Sequence, residues 1–243
     1  MPLEAPLSPV ADRVQALNAQ FSRHSAHDVL AHALADPQIG RTALVSSFGA
    51  ESVVLLHMVS VIDRTTPVLF LDTEMLFPET LDYQRNLAER LDLNVQSIRP
   101  DREEVFLKDP NNRMYAHNPD ACCALRKSAP LDAALEQFDA WVTGRKRFQG
   151  GQRADVALFE TDDAARITIN PLAHWTPDGI AEYMINNRLP RHPLVAKGYP
   201  SIGCAPCTTR VAKDEDPRAG RWRGQPKTEC GIHLHARTKE NVR

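Results

Sequence analysis

No stretch of the chain comes near the roughly 20 consecutive apolar residues that a membrane-spanning helix needs. Excess charge of one sign is missing as well. The 29 Lys and Arg against 31 Asp and Glu leave a formal net charge of -2, which gives no global reason to expect nucleic acid or an anionic membrane as partner. The opening "MPLEAPLSPVADRV" has no charged n-region followed by an apolar h-region, so no secretory signal is read there and a cytoplasmic location is expected. Internal repeats and low-complexity tracts are absent too. Cysteine is scarce and odd in number, five in all. In a reducing compartment structural disulfides are not expected, and an odd count leaves one thiol over under any full pairing.

What remains is ordinary in bulk. With 243 residues, 42% of them hydrophobic and 25% charged, the chain can bury a substantial core as one large domain or a domain plus tail. Apolar positions at helical spacing (Val10, Val14, Leu17, Phe21, then Val29, Leu30, Ala33, Leu34) predict one or two helices before "DPQIG". "TALVSSFGAES" reads as a buried strand ending in a Ser/Gly turn and "VVLLHMVSVI" as the helix that follows. "TPVLFLDTE" and "PETLDYQRNLAERL" repeat that unit, with Pro78 at a first-turn position, and "NVQSIRP" and "DAWVTGRK" add further strands. The alternation predicts an α/β fold with a largely parallel sheet. A helix opens at Thr176 (N-cap) and Pro177. Beyond it, "RVAKDEDPRAGRWRGQPKTEC" is nearly devoid of aliphatic residues, and mobility is expected unless it docks on the body.

Four motifs carry chemistry. "SSFGAES" (46–52), between strand and helix, can hold an anion on backbone amides and a helix N-terminus, or can be only a turn; no Gly-Lys-Ser/Thr follows, so it is not a Walker loop. "WVTGRKRFQGGQR" (141–153) gathers Arg145, Lys146, Arg147 and Arg153 around glycines after a strand, which suits a multiply charged anion, the alternative being a solvated basic turn. Cys122 and Cys123 in "ACCALRK" with Cys204 and Cys207 in "CAPC" make a set of four thiols for zinc or an iron-sulfur cluster. Adjacent cysteines approach a single ion poorly but can reach separate corners of a 4Fe-4S cube, which favours the cluster. Arg126 and Lys127 would offset its negative charge. The fifth cysteine, Cys230 in "KTECGIHLH", has Lys227, His233 and His235 close by; it is a reactive thiol or an incidental tail residue.

The order "SSFGAES", "LDTEMLFPET", "CCALRK", "WVTGRKRFQGGQR", "NPLAHW", "GYPSIGCAPCTT", "KTECGIHLH" resembles the assimilatory adenylyl-sulfate reductases, relatives of the phosphoadenylyl-sulfate reductases, from about residue 42 to about 235. The resemblance implies an adenine-nucleotide α-hydrolase-like three-layer α/β fold with a mobile C-terminal tail: an N-terminal helical segment (1–40), a nucleotide-binding domain with the iron-sulfur site (41–209) and the tail (210–243). It implies a 4Fe-4S cluster on Cys122, Cys123, Cys204 and Cys207, and Cys230 as nucleophile. Substrate contacts are implied for Ser47, Gly49 and Glu51 of a modified P-loop, for Leu71, Asp72 and Thr73, and for Lys127. Gly144, Lys146, Arg147, Gln149, Arg153, Arg218, Arg221 and His233 complete that set. Thioredoxin or a similar dithiol protein is the implied partner, a homo-oligomer is left open, and neither nucleic acid nor membrane is expected. Two departures stand out: Glu74 where the family often has Gly, and Lys146 where Arg is common, a change that is not neutral for bidentate anion binding. The alternatives are a 3'-phosphoadenylyl-sulfate reductase, an ATP-dependent sulfur transferase of the same superfamily and a noncatalytic zinc module.

Overall fold

Apolar runs buried on both faces make strands of a parallel sheet, and "TALVS" and "PVLFL" do so here. The computed structural model describes residues 9–162 and 164–233. In chain order its elements are α1 (Pro9–Phe21), α2 (Ala26–Ala35), β1 (Thr42–Ser46), α3 (Val53–Ile62), β2 (Pro67–Leu71), α4 (Pro78–Leu91) and β3 (Asn94–Ile98). Four helices follow, α5 (Arg102–Lys108), α6 (Met114–His117), α7 (Pro119–Cys123) and α8 (Ala129–Leu135), with a π-turn over Ala124–Ser128 between the last two. Then come β4 (Ala140–Val142), β5 (Phe159–Thr161), β6 (Ile167–Ile169) and α9 (Pro177–Asn186). None of the described helices is long and apolar enough to cross a membrane.

The sheet order is β3-β2-β1-β4-β6-β5, parallel throughout except for the antiparallel β5–β6 pair. Leu44 of β1 pairs with Val68 of β2 on one side and Val142 of β4 on the other. Alternate residues enter opposite layers. Leu44, Val68, Phe70 and Val142 pack with α1 to α4 and α9, whereas Ala43, Val45, Leu69 and Trp141 pack with Leu131 and Leu135 of α8. Strand order reverses between β1 and β4, and such a reversal opens a crevice at the carboxyl ends of the strands.

The caps follow local chemistry. Thr176 accepts from the Gly179 amide and Pro177 opens α9, while Pro78 sits in the first turn of α4. Helices α1 and α2 join the main core: Asn18 donates to the Phe159 carbonyl (2.8 Å) and accepts from its amide (3.0 Å). The β5–β6 hairpin is not apparent in the sequence, because strands of three residues show no measurable period. "DAWVTGRK" is strand only to Val142, and Thr143 onward turns away as loop.

Residues 210–233 lie against the body. Thr209 N–H donates to the Gly220 carbonyl (2.8 Å), Trp222 N–H to the Cys207 carbonyl (3.0 Å) and the Gln225 side chain to the Tyr115 carbonyl (3.2 Å). Lys227 forms an ion pair with Asp120 of α7. The polar composition that predicts mobility is thus met by docking through buried Trp222 and hydrogen bonds rather than through aliphatic packing.

Candidate active site

A cavity of about 250 Å³ lies over the ends of β1 and β4, just below the range of about 300–1,000 Å³ of ordinary small-ligand sites. Its floor is the 46–52 loop. Phe48 there has φ 48° yet is fully buried, with its ring edge-on to Phe70 at 5.2 Å. A bulky residue adopts the left-handed region only when its surroundings compel it, and here the buried ring sets the loop's course. Ser52 at the start of α3 makes no side-chain cap bond. The first amides of that helix therefore lack a side-chain acceptor from the cap at the cavity, an arrangement that favours an anion. Ser47, Gly49 and Glu51 all line the space, and a Cβ at Gly49 would come into contact with the Ile202 carbonyl at 3.4 Å.

The basic loop after β4 is less free than its sequence implies. Gly144, Lys146, Gln149 and Arg153 line the cavity. Lys146 Nζ, however, is paired with Glu51 (2.8 Å) and donates to the Gly144 carbonyl (3.0 Å). Burial holds its pKa down, and Glu51 offsets this only in part. Arg145 is held by Glu160 and by Thr143 and Asn170. Arg147 points out of the cavity, its Nε donating to the Val156 carbonyl (2.7 Å). At the end of β2, Leu71 and then Thr73 line the cavity, while Asp72 turns to Arg99 (3.0 Å) and to the Glu74 amide (3.1 Å). Glu74 itself has φ 59°, a conformation that suits glycine and accounts for the strain of a departure at this point.

The four-cysteine set converges on one side of this space. Cys122 and Cys123 end α7, and the π-turn that follows carries Arg126 and Lys127. Cys204 and Cys207 bracket a 3-10 turn docked on the β2–α4 loop through the Ala205 amide and the Met75 carbonyl (2.8 Å). Thr73 Oγ1 lies 3.2 Å from Cys204 Sγ. Burial, then the neighbouring Cys123, Cys204 and Cys207, pushes the Cys122 thiol up to about 12, and burial with Cys204 pushes Cys207 to about 11. All five cysteines are free. Among the described residues no group of three or more His, Cys, Asp or Glu is placed to hold a metal ion. Among the described residues at this site, Arg126 Nε, Arg221 Nε and Trp222 Nε1 are buried donors without a hydrogen-bond partner. Arg126 is otherwise anchored by Asp109 (3.0 Å), Asn112 (2.6 Å) and the Thr73 carbonyl (3.3 Å), with its guanidinium and the Asp109 carboxylate almost wholly buried.

Lys127 faces both the cysteine set and the cavity. Burial lowers its pKa, but Cys204 and Cys230 outweigh that and raise it, so the ammonium stays charged. Cys230, half-buried, lines the cavity with Lys127, Arg218 and Arg221. Arg221 lies over the Trp222 ring (4.5 Å) and donates to the Ile202 carbonyl (3.3 Å). His233 closes the turn Gly231–His233; its side chain and His235 lie outside the described residues. Glu229 carries no assignment from sequence, yet it is buried at the site: Arg153 binds it through two nitrogens (2.7 and 2.8 Å) and Arg218 through one (2.6 Å). Its sequence signal was its place beside Cys230 in a segment rich in arginine.

Comparison with known proteins agrees with this geometry. Residues 41–210 match the phosphoadenosine phosphosulfate reductase domain. A protein of Mesorhizobium japonicum named adenosine 5'-phosphosulfate reductase is 47% identical over 226 residues, 93% of this chain and 89% of its own. One of the same name from Chelativorans sp. is 51% identical over 196 residues, 80% of each chain. Another from Mycobacterium tuberculosis is 40% identical over 186 residues, 74% of this chain and 72% of its own. The crystal structure of phosphoadenylyl-sulfate reductase from Candida auris superposes with a TM-score of 0.71 at 26% identity, covering 85% of this chain and 99% of that one. FMN adenylyltransferase of Candida glabrata shares the fold alone, with a TM-score of 0.57 at 15% identity over 89% of this chain and 74% of that one. A matched domain over most of the chain and relatives at 40–51% identity show that this chain belongs to the phosphoadenosine phosphosulfate reductase family.

Proposed function

We propose that the chain reduces adenylyl sulfate to sulfite and AMP through a sulfo intermediate on Cys230, with thioredoxin or a similar dithiol protein as electron donor, in assimilatory sulfate reduction leading to cysteine. The observation that carries this reading is the placement of Cys230 in one cavity with Lys127, Arg218 and Arg221, over the helix N-terminus and Ser/Gly loop at the strand switch. The relatives' names support adenylyl sulfate as the substrate, and the geometry supports an anion site with a thiol beside it.

The chemistry runs in two displacements. The Cys230 thiolate attacks the sulfur of the phosphosulfate: an S–S bond forms, the bond from sulfur to the bridging oxygen breaks, and AMP leaves with that electron pair. Lys127, Arg218 and Arg221 offset charge on the anion and on the leaving phosphate. A dithiol thiolate then attacks the Cys230 sulfur, sulfite departs, and the second thiol resolves the mixed disulfide, so the dithiol supplies both electrons. Cys230 must reach into the site for the first displacement and be available to a protein for the second, which is the role assigned to movement of the tail that carries it.

Cys122, Cys123, Cys204 and Cys207 would hold a 4Fe-4S cluster. Burial holds the Cys122, Cys123 and Cys207 thiols above their ordinary pKa, so a group that binds them as thiolates would offset that cost, and the unpartnered Arg126 Nε, Arg221 Nε and Trp222 Nε1 are donors available to an anionic centre. When bound, such a cluster would supply a fixed charge coupled through Lys127 to the substrate anion. The test of the whole reading is steady-state kinetics with thioredoxin on adenylyl sulfate and its 3'-phosphorylated form, on protein assayed for iron, sulfide and zinc. A kcat/KM at least about a hundredfold higher for adenylyl sulfate, with four irons per chain, is expected; preference for the 3'-phosphorylated substrate would overturn the assignment.

Gly203 offers a finer check of the cation set. A Cβ there would lie 2.2 Å from Arg221 Nη2, the movable end of a side chain. Gly203→Ala should therefore displace Arg221 with less than about 1 kcal/mol lost in stability, and raise KM for adenylyl sulfate about tenfold. Unchanged KM would remove Arg221 from the substrate contacts.

A further inference from the structure

Arg153 and Arg218 are two guanidiniums at one buried spot. Burial disfavours the charge on Arg218, and the neighbouring Arg153 disfavours it further, with Glu229 opposing both. Such a pair needs a counter-anion, and the chain provides one. The Glu229 carboxylate, only 7% exposed, accepts from Arg153 Nε (2.7 Å) and Nη2 (2.8 Å) and from Arg218 Nη2 (2.6 Å). Arg153 Nη1 is taken by Gln149 (2.5 Å) and Arg218 Nη2 also reaches the Thr228 carbonyl (3.0 Å). The fork-on-carboxylate geometry at Arg153 is the same one a phosphate or sulfate oxyanion would use.

We propose that Glu229 is an internal competitor for the anion site: its carboxylate occupies Arg153 and Arg218 when the site is empty, and the phosphosulfate of an incoming nucleotide has to displace it. The inference rests on the reading of these arginines as phosphosulfate contacts. It adds a role for the residue immediately before the nucleophile. With the site empty, the Glu229 pairs hold Cys230 inward and the cations neutralised. Anion binding takes the arginines, frees Glu229 and loosens the segment from Gln225 to Gly231, so the tail's attachment and the occupancy of the site are coupled. Return of Glu229 to the arginines then favours departure of AMP.

Competition and simple bracing give opposite results for Glu229→Gln, which removes the charge and keeps the shape. Titration calorimetry with AMP and with inorganic phosphate, on the full chain with its iron content matched to the unaltered protein, should show both ligands binding about tenfold tighter to the variant. Equal or weaker binding overturns the proposal and leaves Glu229 a structural brace. If the variant does not fold, hydrogen exchange on the unaltered chain decides. Saturating AMP or phosphate should speed amide exchange over residues 225–231 about tenfold, and equal or slower exchange overturns the proposal. Neither probe requires turnover, so failure of the reductase assignment would show in the kinetics and not in these measurements.

Discussion

Cys230→Ser is expected to abolish sulfite formation from adenylyl sulfate, by on the order of 10⁴-fold or more in kcat, with substrate binding nearly unchanged. A serine hydroxyl is a far weaker nucleophile than a thiolate at neutral pH, so the first displacement slows. The second fails for a separate reason. A sulfate ester on serine presents no sulfur–sulfur bond to a dithiol, so nothing discharges it as sulfite. In the proposed mechanism binding is assigned to Lys127, Arg218, Arg221 and the 46–52 loop, which line the cavity beside Cys230. Residual turnover above about 1% would move the nucleophile elsewhere.

Cys123→Ser should have the next largest effect. Cys123 is buried at the end of α7, and burial pushes its thiol up while Lys127 and Lys227 pull it down. Replacing it removes one of the four proposed cluster ligands, and the expected outcome is loss of iron, sulfide and the brown visible absorption. Activity should fall on the order of 10²-fold or more as Lys127 loses its partner charge. The melting temperature should fall too, since the π-turn between α7 and α8 would lose its anchor. Cys230 should still react stoichiometrically with an alkylating reagent, which separates loss of the centre from loss of the nucleophile. A protein that carries one zinc and no iron before mutation would contradict the cluster reading outright.

Much of the frame is legible because it obeys local rules. "TALVS" and "PVLFL" read as buried strands since both faces are covered, and Thr176 with Pro177 marks a helix start by cap chemistry alone. The β5–β6 hairpin is illegible for the opposite reason: each strand has three residues, and its pairing is decided by the sheet edge and by Asn18 of α1. At the site, residue type shows charge but not partner. Arg145 and Arg147 look like free cations in "GRKRFQ", yet one is held by Glu160 and the other by the Val156 carbonyl, while Lys146 is shared with Glu51. Only folding brings Glu229 onto Arg153, 76 residues away in the chain. The cysteine set is the converse: its doublet and Cys-x-x-Cys spacing are plain in the sequence, whereas among the described residues no group is placed to hold a metal ion.

The central claim, that Cys230 accepts the sulfo group before any reductant acts, is tested most directly by mass spectrometry of the purified chain after incubation with labelled adenylyl sulfate and no dithiol. The account predicts one sulfo group per chain on the peptide containing Cys230, released as labelled sulfite when thioredoxin is added. An unmodified Cys230 alongside AMP formation, or an adduct on another residue, would contradict it.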